Sequence, residues 1–89
     1  MFIYLTGYYS GVNDIDTFRD TEINLKRQGH RIVNVIDIAA SNDTEYRKNR
    51  LKNVLKVDNI VMLNDWSKSD IAKEEARLAQ FIGLDMEEL

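Results

Sequence analysis

The chain has 89 residues, 44% hydrophobic and 30% charged, with no cysteine, no proline and a net charge of −3. That is ordinary usage for one globular domain; it excludes a disulfide framework or thiolate zinc site and argues against disorder. No Lys/Arg cluster is set off on one face, which argues against a nucleic-acid polymer or a membrane surface as partner while leaving small nucleotides open. No apolar run approaches spanning length, and the opening Met-Phe-Ile-Tyr-Leu-Thr lacks the marks of a signal peptide, so a cytoplasmic protein is expected. A chain this short buries a modest share of its surface, and a homodimer or higher homo-oligomer is expected to help it.

Phe2–Thr6, an apolar run closed by Gly7, reads as a strand buried on both sides. Gly7–Asp14 holds two of the four glycines and reads as a loop in which Asn13 or Asp14 caps the next helix. That helix runs to about Gln28, with Ile15, Phe18, Glu22 and Leu25 at helical spacing and Gly29 as its stop. Arg31–Ile36 is the second strand, and Asp37–Asp43 a polar loop rich in caps. Thr44–Lys56 is the second helix, with Tyr46, Leu51, Val54 and Leu55 as its apolar stripe and Arg47, Lys48, Arg50 and Lys52 as a solvated face. Asn59–Leu63 is the third strand, Asn64–Ser69 a loop, and about Asp70 to Ile82 the third helix, stopped by Gly83. Leu84–Leu89 is long enough for no more than a brief edge strand or a frayed tail.

Near-continuous apolar strands alternating with helices predict an α/β domain spanning residues 1–89. The expected architecture is a small doubly wound, flavodoxin-like open parallel sheet of three to four strands and three helices, with the first strand central. In such sheets ligands bind beyond the carboxyl ends of the strands, where strand order reverses. Gly7–Asn13, Asp37–Asp43 and Asn64–Ser69 meet there, and Lys68 is the one Lys or Arg they contain. The spacing Gly7-x-x-x-Gly11 is neither a dinucleotide fingerprint nor a P-loop, and by spacing alone reads as a tight turn. Tyr8, Tyr9 and Trp66 suit stacking on a base and equally suit closing the core. His30 has no second ligand at metal spacing, so no metal and no cofactor are expected.

One carboxylate is out of place. Ile71, Glu75, Leu78 and Ile82 follow at steps of four, three and four, and the helical neighbours of Glu75 are Ile71, Ala72, Leu78 and Ala79. Periodicity therefore turns Glu75 inward, where a carboxylate is costly unless it is paired or used.

The residue pattern carries a resemblance along nearly the whole chain. Ile3–Gly11 (I-Y-L-T-G-Y-Y-S-G), Gly29–Val35 (G-H-R-I-V-N-V), Asp58–Leu63 (D-N-I-V-M-L) and the segment from Trp66 through Ser69, Ile71, Ala72 and Glu75 to Ala76 resemble, in order, the motifs of small phage and bacterial DUF4406-like relatives of the nucleoside 2-deoxyribosyltransferases. The resemblance implies N-glycosidic bond transfer or hydrolysis through a covalent glycosyl ester on Glu75; it leaves the acid toward the leaving base unassigned, with Asp65 and Tyr8 as candidates. It implies a small-molecule nucleoside or nucleotide partner, lined by Thr6, Gly7, Tyr9, Gly11, Asp37, Trp66 and Ser69. Three positions depart from the pattern: Tyr8 replaces Pro, Arg50 an aspartate that helps line the site, and Ile71 a glycine; Ser69, usual in the small relatives, stands where the well-characterised transferases have an acidic residue. The alternatives are a catalytically silent nucleotide-binding module, or a structural protein whose Glu75 is only hydrogen-bonded.

Overall fold

The computed structural model describes residues 1–63 and 65–89; Asn64, the first residue of the expected third loop, lies outside them. Strand β1 (Phe2–Thr6) leads to helix α1 (Val12–Arg27), and strand β2 (Arg31–Asn34) to helix α2 (Asp43–Val54). Strand β3 (Asn59–Met62), helix α3 (Asp70–Ile82) and strand β4 (Asp85–Glu88) complete the chain. The four strands form one sheet in the order β2-β1-β3-β4, with all three pairings parallel. This is the expected doubly wound order with β1 interior, and Leu84–Leu89 supplies an edge strand rather than a frayed tail.

The core is built on β1 and β3. Ile3, Tyr4, Leu5, Ile60, Val61 and Met62 are buried, joined by Phe18 of α1, Val54 of α2 and Ala76 and Ala79 of α3. Two central strands buried on both faces explain the unbroken apolar runs seen in the sequence.

Several boundaries differ from expectation for local reasons. β2 stops at Asn34 instead of Ile36, because the Asn34 side chain accepts the Ile36 N–H at 3.2 Å and bends the chain into a 3₁₀ turn over Val35–Asp37. α1 begins with Gly11 at the N-cap and no side-chain cap; Asp14 lies inside its first turn and accepts the Ser10 N–H at 3.0 Å. α2 is capped by Asn42, which accepts the Glu45 N–H at 2.8 Å, and ends at Val54, so Leu55 leaves the apolar stripe and is 62% exposed. α3 has the expected bounds: Ser69 caps it through the Ala72 N–H at 3.1 Å, and Gly83, at φ +84°, closes it in the left-handed conformation that favours glycine. Its buried stripe is Ala72, Glu75, Ala76 and Ala79, with Ile71 and Leu78 flanking it and Ile82 exposed. Small residues form that stripe because α3 packs closely against α2 and the sheet.

Candidate functional site

Alternation along β1 sends Tyr4 and Thr6 to the same face of the sheet. Glu75, on the second turn of α3, meets them there and has no exposed surface. The Tyr4 hydroxyl donates to Glu75 Oε2, and Thr6 Oγ1 donates to Oε1 at 2.7 Å. Arg50 of α2 closes the group: its Nη2 donates to Glu75 Oε1 at 2.6 Å and its Nε to Oε2 at 3.2 Å. Nη2 also reaches Thr6 Oγ1 at 2.9 Å. Glu75 is thus turned inward as periodicity predicts, and it is held by a two-point guanidinium grip and two hydroxyls.

Arg50 corrects the sequence reading. It is 3% exposed and belongs to no solvated face, because its position on α2 points at the sheet rather than outward with Arg47 and Lys48. Tyr46 lies one turn before it, and the guanidinium sits 5.5 Å from the Tyr46 ring centre. The Tyr46 hydroxyl pairs with that of Tyr9 at 2.7 Å and stands 3.5 Å from Arg50 Nη1. Tyr46 is therefore part of a polar network as well as of the apolar stripe.

Above this group opens a cleft of about 330 Å³, lined by Gly7, Tyr8, Tyr9, Tyr46, Arg50, Lys68 and Ser69. Four expected site residues, Gly7, Tyr8, Tyr9 and Ser69, are brought together there. Gly7 is buried at φ +153°, and a Cβ on it would lie 3.2 Å from the Phe18 ring and 3.3 Å from Leu63 Cβ. Asp65 lines an adjoining cavity of about 320 Å³, to which Tyr8 and Lys68 also contribute. Thr6 and Glu75 lie beneath the cleft wall rather than in it.

Three expected residues are placed elsewhere. Asp37 lines neither cavity; Arg19 of α1 grips both its oxygens, at 2.8 and 2.6 Å. Trp66 packs its ring on the core and donates its indole N–H to Glu88 at 2.8 Å. Gly11 is the N-cap of α1 and lines neither cavity. The residues that sequence reasoning missed are Tyr4 and Tyr46, while Arg50 was marked as standing at a site-lining position by the resemblance alone and was otherwise read as solvated. The signal was present: Tyr4 and Thr6 are two apart on a strand, and Tyr46 and Arg50 four apart on a helix.

Burial, reinforced by the neighbouring carboxylate, pushes the Tyr4 phenol far above its ordinary value, so it acts as a donor. Burial works against the Arg50 charge, but the hydrogen bonds and charge of Glu75 outweigh it and hold the guanidinium protonated. Tyr9 is pushed up to about 12, by burial first and by its bond to Tyr46 second.

Residues 1–87 match the family described as "Domain of unknown function (DUF4406)". The chain belongs to that family. No curated protein matches the sequence. Among solved structures, this DUF4406 chain is similar to the 2-deoxyribosyltransferase of Bacillus psychrosaccharolyticus, with a TM-score of 0.78 at 15% identity. The likeness covers 99% of this chain and 71% of that one. It shows a shared α/β fold.

Proposed function

We propose that this DUF4406 domain binds a nucleoside or nucleotide in the tyrosine-lined cleft and holds Glu75 out of reaction beneath it. The observation that carries this reading is the Arg50–Glu75 ion pair: Arg50 lines the cleft, Glu75 does not, and both Glu75 oxygens already accept charged or hydroxyl donors. A nucleophile needs a free lone pair and a path to the carbon it attacks; here two donors on each oxygen take up the four lone-pair sites of Glu75, and its burial closes the path. The tyrosines around the opening offer faces for a base and hydroxyls for a sugar.

The position of Glu75 favours a second reading, in which Arg50 withdraws once a ligand is seated. One Glu75 oxygen would then attack C1′ as the C1′–N bond breaks. The base would leave with the bonding pair and take a proton from Asp65 or Tyr8, and water or a second base would release the sugar and restore the carboxylate. Glu75 on a rigid helix with Tyr4 and Thr6 beside it is suited to that transfer or hydrolysis.

One experiment separates the two. The protein is incubated with deoxynucleosides and their monophosphates, and intact mass, released base and thermal shift are read together. A thermal shift without adduct or free base is the expected result. A deoxyribosyl adduct on Glu75 would overturn the silent reading in favour of the enzyme, and no response of any kind would remove both. Self-association, expected from chain length, is read by sedimentation of the same sample.

A further inference from the structure

The chain is acidic, with a net charge of −3, but the cleft is not. Its described lining carries two cations, Arg50 and Lys68, four hydroxyls from Tyr8, Tyr9, Tyr46 and Ser69, and no carboxylate. Arg50 is 3% exposed, and its Nε and Nη2 are taken up by Glu75 and Thr6. Its Nη1 has one long contact among the described residues, 3.5 Å to the Tyr46 hydroxyl. A buried guanidinium with one N–H arm left over at a cleft wall is a donor waiting for an acceptor. Lys68 contacts Asp65 at 3.6 Å, an open pair between side chains each 66% exposed, so its ammonium is available to a stronger anion. Ser69 lines the same wall and is the N-cap of α3, so the positive end of a 13-residue helix adds to the field. Glu75 and Asp65 answer part of this charge, and what the wall still offers a ligand is the Arg50 Nη1 arm, the Lys68 ammonium and the helix end.

We infer that the cleft is built for a phosphate-bearing nucleotide, with the phosphate between Arg50 Nη1 and Lys68 and the nucleoside against Tyr8, Tyr9 and Tyr46. The inference rests on the nucleoside-or-nucleotide reading above and narrows it to the charged class. Binding uses Nη1 alone, so Arg50 keeps its grip on Glu75 while the ligand is bound. The volume, about 330 Å³, lies at the small end of the roughly 300–1,000 Å³ of ligand pockets and suits a mononucleotide better than a dinucleotide.

The test is calorimetric titration of the whole chain with the four common 2′-deoxynucleosides, their 5′-monophosphates and inorganic phosphate. At least one monophosphate should bind roughly tenfold or more tighter than its own nucleoside, the worth of one charge-assisted hydrogen bond. Added salt and Lys68→Met should each shrink that gap; Lys68 is exposed, so this variant leaves the core untouched. Equal affinity for nucleoside and monophosphate would overturn the inference and leave the broader reading standing. Inorganic phosphate binding as tightly as any nucleotide would also overturn it, by reducing the cleft to a simple anion site. No binding by any member of the panel would bring down both.

Discussion

A buried carboxylate is stable only when its charge is answered at short range, and Glu75 has four donors within reach. Each donor can be removed separately. Tyr4→Phe and Thr6→Val delete one hydroxyl at nearly constant volume and leave an oxygen of Glu75 short of a partner. Each is expected to lower the unfolding free energy by about 1–3 kcal/mol in urea melts. Tyr9 reports on the outer half of the network. It is pushed up to about 12, so its contribution is intact below pH 10, the ordinary tyrosine value, and is lost as pH rises from there through 12. Tyr46→Phe removes the hydrogen bond that is the second cause of that rise, and spectroscopic titration should then find Tyr9 ionising at lower pH.

At the scale of elements, β1 and α3 carry the site, and both were legible. Phe2–Thr6 and Asp70–Ile82 have the bounds that the apolar pattern, the Ser69 cap and the Gly83 stop imply. Glu75 was legible because every helical neighbour it has is apolar. The resemblance marked the position of Arg50 as site-lining, but its inward turn was not legible, because it stands in a run of basic residues whose other members are exposed, and α2 carries too few large apolar residues to fix its rotation about its axis. Asp37 looked like a site residue because it sits in the right loop; the 3₁₀ turn set by Asn34 instead points it at Arg19. Gly7 joins β1 to the cleft, and its backbone conformation strains any side chain even where a neighbour could yield. Gly7→Ala should cost more than about 1 kcal/mol and weaken ligand binding, since Phe18 and Leu63 press on the added methyl.

For the whole molecule, the parallel sheet was readable from alternation of strand and helix, and the order β2-β1-β3-β4, which agrees with the flavodoxin-like expectation, places the loops after β1 and β3 on either side of the reversal. Charge sets its acid limit. Arg19 holds Asp37 below the usual carboxylate range, and Glu22 is lowered despite burial by Lys26, Asn34 and Arg19. Depressed carboxylates contribute stability that is present above their ordinary values near about 4 and lost as pH falls below them. Melting temperature should therefore decline below about pH 4, and Asp37→Asn should flatten the decline while costing no more than about 1 kcal/mol at neutral pH, because the pair is half exposed.

The central claim is that Arg50 holds Glu75, and a double-mutant cycle in urea tests it most directly. Arg50→Met and Glu75→Leu are each expected to cost about 3–5 kcal/mol, since each strands a buried charge. Together they should cost far less than their sum, with a coupling of roughly 2–3 kcal/mol or more. Additive losses would contradict the account, leaving Glu75 a carboxylate that Arg50 does not restrain.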